Sequence, residues 1–158
     1  MTNTDKRTTF SMTFMSLNNA LWKQFSRIPD SALSFMARIV IAGIFWRSGQ
    51  TKVNGWEISD FTFQLFQSEY ALPLIPYKAA AYMATFAEHF FPILLVLGLA
   101  TRFSAGALLA MTLMIEIFVY PDSWPDHGVW AVSLLFIMSR GASILSLDHL
   151  IKNKLNHL

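Results

Sequence analysis

The sequence predicts an all-α, polytopic membrane protein: a four-helix bundle of spans, with an N-terminal amphipathic helix and a short interfacial helix between spans one and two. Three observations carry this. Of 158 residues, 54% are hydrophobic and only 14% charged, where soluble domains carry about 25% charged residues, and the mean hydropathy is +0.41. Four separate stretches approach or reach the ~20 apolar residues that a helical span needs. The basic residues also segregate to one side of a topology that threads those stretches back and forth.

Residues 1–30 lack the compact apolar run of a signal peptide. Phe14, Leu17, Leu21, Phe25 and Ile28 recur at helical spacing, with Lys23 and Arg27 elsewhere, as in a helix lying on a membrane surface. We read this part as an N-terminal cytoplasmic or interfacial segment, followed by a four-span membrane domain over 31–151 and a cytoplasmic tail over 152–158.

The first span is SALSFMARIVIAGIFWRSG from Ser31, entered after Pro29 and Asp30. The connection from Gln50 to Lys78 is long and contains SDFTFQLFQSEY, where Ser59 or Asp60 can cap a short helix that turns Phe61, Leu65 and Phe66 to one side. The second span is AAAYMATFAEHFFPILLVLGL from Ala79. The third, AGALLAMTLMIEIFVY from Ala105, is short at about 24 Å of helix rise and stops at Pro121. The fourth is GVWAVSLLFIMSRGASILSL from Gly128. The linkers ATRFS and PDSWPDHG are brief, so spans two, three and four are expected to run up and down as antiparallel neighbours.

Lys6, Arg7, Lys23, Arg27, Arg102, Lys152 and Lys154 all fall on one side if the termini lie together. The opposite connections carry Glu57, Asp60, Glu69, Asp122 and Asp126 against Lys52 and Lys78. The positive-inside rule places both termini in the cytoplasm. It also accounts for the +2 charge and a pI near 9.0 without nucleic acid, for the basic residues form no patch interleaved with aromatics. There is no cysteine, which excludes disulfides, thiolate metal sites and thiol nucleophiles within this chain. No phosphate-cradling glycine loop and no G-x-S-x-G setting occurs.

Charges inside the apolar stretches are the main functional signal, since each costs about 2.5–3.5 kcal/mol at the centre of an inserted helix. Arg47 lies near the end of its span and can snorkel. Arg38, Glu88, Glu116 and Arg140 remain, two of each sign, with His89 beside Glu88. Helical spacing stacks Arg38, Phe45 and Lys52 on one face, Glu88 on a stripe with Ala80, Ala84, Ala87, Phe91 and Gly98, Glu116 between Thr112 and Tyr120, and Arg140 with Trp130, Ser133 and Ser143. Two readings are open. The charges line a polar pocket for a small amphipathic ligand, with Arg38, Phe45, Lys52, Glu88, His89, Glu116 and Arg140 as its candidate residues, or they form an ion-pair network that fixes helix registry. As a haem ligand, His89 would want a second histidine inside the bundle, yet His127 lies in a loop and His149 and His157 at or past the end of span four. No His and carboxylate set has metal-ligand spacing. Asp122, Asp126 and His127 form a compact outer loop, read either as a capped turn with interfacial tryptophans or as a metal or substrate contact.

IFWRSGQTKVNGW, AEHFFPILLVLGLATRF, FVYPDSWPDHGVW and SILSLDHLI, in that order, resemble the DoxX family of small bacterial membrane proteins, from about Arg38 to Ile151. The resemblance places the family's characteristic positions at Arg38, Gly49, Lys52, Glu88, Pro92, Gly98, Arg102, Ser146 and Asp148. Where many relatives have a G-x-G turn before S-L-D, this chain reads RGASILSLD. The resemblance implies a four-helix bundle in the bacterial cytoplasmic (inner) membrane, a link to quinone-dependent electron transfer, and an association with oxidative or electrophile stress. It implies a membrane subunit of a quinone-linked redox system, a non-catalytic or quinone-binding subunit of an oxidoreductase, with no intrinsic cofactor but a bound quinone and a soluble or membrane redox partner. A non-redox small-molecule or lipid carrier, or an anchor for a partner complex, is the alternative. Beyond the bilayer itself, a homo-oligomer is compatible with the sequence.

Overall fold

A computed structural model describes residues 28–73 and 75–156, together with 15, 18, 22, 23 and 26. The N-terminal amphipathic helix expected over 1–30 lies largely outside the described residues; Met15, Asn18, Trp22 and Lys23 are helical and exposed. The described chain forms helix α1 (Asp30–Gln50), a two-stranded antiparallel hairpin of β1 (Val53–Asn54) and β2 (Glu57–Ile58), then α2 (Asp60–Ser68), α3 (Tyr77–Leu97), α4 (Thr101–Phe118), α5 (Trp124–Arg140) and α6 (Leu147–Leu155).

α1 packs on α3 and α5, and α4 on α3 and α5, so the four long helices close a cycle, with α2 laid against α3. Ile41, Ala42, Phe45, Leu95, Ala105, Leu108, Leu134 and Ile137 are buried together at its centre, drawn from all four. Outward the same helices are apolar again: Met36, Val40, Phe86, Ile117, Val129 and Val132 are each more than half exposed. A soluble monomer rarely leaves so much apolar surface bare. α1, α3 and α4 are long and apolar enough to cross a membrane. The chain is a helical membrane protein.

Several boundaries differ from the sequence expectation. α4 begins at Thr101 rather than Ala105, because Gly98 and Ala100 both take left-handed φ (66° and 46°) and turn the chain within three residues. Trp124 to Gly128 belong to α5, with Pro125 in its first turn, where a missing amide costs nothing. The fourth apolar stretch does not continue to Leu147. Its helix ends at Arg140, Gly141 adopts φ 73°, and the chain restarts as α6, capped by Ser146, whose Oγ accepts from the His149 amide at 3.1 Å. α6 therefore runs across the division expected after residue 151. In α2 the buried face is Thr62 and Phe66, while Phe61 is exposed. The hairpin was not anticipated; Asn54 pairs with Glu57, so its two-residue turn is Gly55-Trp56, with Gly55 at φ 65° in the first central position, where a primed turn needs positive φ.

Candidate functional site

Lys52, just past the end of α1, and Glu88, near the middle of α3, form a buried ion pair. Nζ lies 3.0 Å from Oε1 and 2.8 Å from Oε2, and Lys52 and Glu88 are 7% and 2% exposed. Ser48, one helical turn before Lys52, donates its Oγ proton to Glu88 Oε1 at 3.1 Å, and Nζ also donates to Ser48 Oγ and to the Ser48 carbonyl. The lysine backbone is held as firmly: its carbonyl accepts from the Ser59 amide (3.0 Å) and from Thr62 Oγ1 (2.9 Å). The hairpin and the first turn of α2 thus set where Lys52 stands. On the other partner, Pro92 falls four residues after Glu88 inside α3, so no amide donates to the Glu88 carbonyl along the helix.

The pair sits in the wall of a cavity of about 250 Å³ between α2, α3, α4 and the segment that follows α2. Phe66, Leu72, Ile75, Met83, Ala84, Met111 and Met114 are among its apolar lining, and only Lys52, Tyr70 and Glu88 bring polar side-chain groups. A larger groove of about 1020 Å³ opens on the far side, between the hairpin, the end of α1 and α3, lined by Trp46, Gln50, Trp56, Phe63, Tyr82, Phe86 and His89 among others. His89 Nδ1 lies 2.7 Å from the Thr85 carbonyl and Nε2 lies 3.0 Å from Gln50 Nε2. A carbonyl only accepts, so Nδ1 carries the proton and Nε2 accepts from the amide. Trp46 stacks edge-on against the ring at 5.1 Å.

The remaining candidates are elsewhere. Glu116 pairs with His127 at 2.6 Å, beside Trp130. Phe45 is in the central core, edge-on to Trp130. Arg38 is fully buried toward the opposite end of α1, donating from Nη2 to the Leu145 carbonyl at 2.6 Å, with Nε and Nη1 unpartnered among the described residues. Arg140 is exposed and pairs with Asp30 at 2.9 Å. The structure therefore brings Lys52 and Glu88 together, leaves His89 beside them in the neighbouring groove, and does not bring Arg38, Glu116 or Arg140 to them. Helical spacing puts each charge on a face but does not set its height along the bundle. Ser48 was missed, though it precedes Lys52 by four residues on the same helix face. Glu69, Tyr70 and Tyr120 were missed as a cluster: Tyr120 donates to Glu69 Oε1 at 2.5 Å and lies 3.1 Å from Tyr70 Oη. Burial, followed by these hydrogen bonds, raises the Tyr120 phenol above its ordinary value. Among the described residues, no three His, Asp or Glu side chains are grouped closely enough to hold a metal ion.

The family model for DoxX matches residues 33–121, more than half of the chain. The chain belongs to the DoxX family. An uncharacterized protein of Haemophilus influenzae is 35% identical over 130 residues, covering 73% of this chain and 80% of that protein. No solved structure matches. The DoxX match takes in α1 to α4, and with them Arg38, Gly49, Lys52, Glu88, Pro92, Gly98 and Arg102. Ser146 and Asp148 lie beyond it, yet the structure ties them to the matched part. Asp148 accepts from the Ala100 amide (Oδ1, 2.8 Å) and the Thr101 amide (Oδ2, 3.0 Å), and its own amide donates to the Gly98 carbonyl at 2.9 Å. A Cβ at Gly98 would collide with Arg38 Nη1 and with Ser146. The positions expected from the sequence resemblance fall into two groups: Gly49, Lys52, Glu88 and Pro92 around the ion pair, and Arg38, Gly98, Ser146 and Asp148 around the α3–α4 turn.

Proposed function

We propose that this DoxX protein is a membrane subunit that holds a quinone-like ring against the Lys52–Glu88 pair, in a quinone-linked redox system whose electrons come from a partner protein. The observation that carries the reading is the ion pair in the wall of an otherwise apolar cavity. Small-molecule sites combine apolar walls with a few convergent polar groups, and 250 Å³ is just below their usual ~300–1,000 Å³, enough for one ring with its tail in lipid. A quinone would supply a couple that takes up electrons and protons together. For this chain's residues the roles follow from chemistry: Lys52 Nζ can exchange a Ser48 bond for one to a ligand carbonyl and favour negative charge there, while Glu88 can hold or pass the accompanying proton.

The proposal includes four spans, with α5 crossing as well. Its 17 residues give about 25 Å of rise, and Val129, Val132 and Leu135 are more than half exposed on it. Both termini are cytoplasmic in a bacterial inner membrane, which leaves Lys52, the hairpin and α2 toward the outer face.

The test is binding. Protein purified in mild detergent is expected to carry an isoprenoid quinone detectable by mass spectrometry, and a soluble quinone analogue is expected to raise its melting temperature. Ala84→Leu, which narrows the cavity while keeping both charged side chains, should abolish that shift, and Glu88→Gln should reduce it. If neither a copurifying quinone nor a thermal shift is found, the carrier or anchor reading replaces this one.

A further inference from the structure

At the opposite end of the molecule, the start of α4, the end of α5, the segment 141–146 and α6 enclose a basin of about 490 Å³. Arg102, Arg140, His149 and Lys152 line it. Arg102 and Lys152 are exposed, and among the described residues neither has an acidic partner within ion-pair distance. Asp148, the acidic residue in the basin, is engaged through both oxygens by the Ala100 and Thr101 amides. Arg140 is matched by Asp30. An excess of positive charge is therefore left facing a concavity at the end of the helices.

The surroundings are apolar. α6 buries no residue, and Leu150, Ile151 and Leu155 are 61%, 49% and 64% exposed along one of its sides, with Lys152 and Lys154 in the same last turn. Next to it Phe103, Ile144 and Leu145 are also more than half exposed, and this surface continues into the apolar outer faces of the long helices. The Ser146 cap and the Asp148 contacts hold α6 at that level and do not leave it to drift. A soluble anion would explain the charge but not the bare apolar rim. A phospholipid explains both, because its phosphate and its acyl chains separate over the same distance.

We propose that this basin binds the headgroup of an anionic phospholipid, with Arg102 and Lys152 on the phosphate and the apolar side of α6 lying in the same leaflet. The placement requires only that the long helices cross the membrane; it is independent of the ligand proposed at Lys52 and Glu88. Basic groups near an anionic leaflet are individually modest contributors and add up when clustered, and an amphipathic helix supplies the apolar part of the contact.

The test uses the full chain in phosphatidylcholine nanodiscs containing a minority of phosphatidylglycerol, released into mild detergent and weighed by native mass spectrometry. The wild type is expected to retain phosphatidylglycerol over phosphatidylcholine. Lys152→Gln should weaken that retention about fivefold, and R102Q/K152Q by roughly the square of that. Lys78→Gln, an exposed charge at the other end, should leave it unchanged. Lys152→Gln makes no contact whose loss would unfold the protein, so it stands if the double variant proves unstable. The native chain has no cysteine, so a fluorophore on Leu150→Cys should be quenched by lipids brominated close to the headgroup. Equal retention of both lipids, retention unaffected by Lys152→Gln, or an unquenched fluorophore would overturn the proposal. Displacement of phosphatidylglycerol by inorganic phosphate would also overturn it, and would assign the basin to a soluble anion.

Discussion

The His89 imidazole occupies the space that a side chain at Gly49 would need. A Cβ at position 49 would fall 2.7 Å from His89 Cε1, 2.9 Å from Nδ1 and 3.2 Å from Glu88 Cβ. Only a bare α-carbon lets α1 approach α3 closely enough for Ser48 and Lys52 to reach Glu88. Gly49→Ala should therefore destabilise the protein by about 1–3 kcal/mol, as overpacking does, even though alanine is the better helix former. A melting temperature in detergent equal to or above that of the wild type would contradict this.

Removing one member of the Lys52–Glu88 pair leaves the other charge buried alone, which typically costs 3–5 kcal/mol. Lys52→Met and Glu88→Leu should each lower stability by that order, and the double variant by clearly less than the sum, since the two side chains are in contact. Glu88→Leu combined with Arg140→Ala should instead be additive, because Arg140 pairs with Asp30. Chemical denaturation in mixed micelles measures both cycles.

Tyr120 links the end of α4 to the segment after α2 through Glu69 and Tyr70. Its phenol is raised in the folded protein, foremost by burial and then by the hydrogen bonds to Glu69 and Tyr70. The neutral form is therefore the one that folding favours: its contribution is complete below the unfolded value of about 10 and fades as pH climbs above it. The difference in melting temperature between wild type and Tyr120→Phe should be constant around neutral pH and shrink above pH ~10. A difference that stays constant to higher pH would show that the phenol does not titrate with folding.

Topology can be read without background labelling. A cysteine at Ser123, between α4 and α5, should react with a membrane-impermeant thiol reagent in intact cells, and one at Asn156, after α6, should react only after lysis. The reverse pattern would invert the orientation argued from the basic residues.

The long helices were legible because apolar runs and proline breaks are local signals, and Pro29 and Ser59 stand where the structure begins α1 and α2. The starts of α4 and α5 moved by four residues each, and the last boundary moved furthest. ASILSL is as apolar as the span before it, yet Gly141 and Ser143 with φ of 73° and 45° turn it away, held by Ser34 Oγ donating to the Gly141 carbonyl at 2.9 Å, a contact over 107 residues that no local window contains. The site shows the same limit. Lys52, Glu88 and His89 were each visible as ionisable groups near or within apolar sequence, but their union depends on how far α1 slides along α3. That register comes from Gly49 against His89, and a four-letter spacing cannot express it. Glu116 found His127, which the sequence placed in a loop, because Pro125 starts α5 early enough to bring the ring down beside α4.

The clasp of Asp148 on the turn between α3 and α4 has a consequence for how the protein is made. The amides of Ala100 and Thr101 receive a carboxylate that the ribosome adds 48 and 47 residues later. Until Asp148 is in place, those two backbone donors are met only by water. A nascent chain halted at Arg140 would hold every long helix and still have an open turn, accessible to exchange and to proteases. Closure arrives with the S-L-D segment itself, so the turn between α3 and α4 is complete only once the last short helix has folded against it.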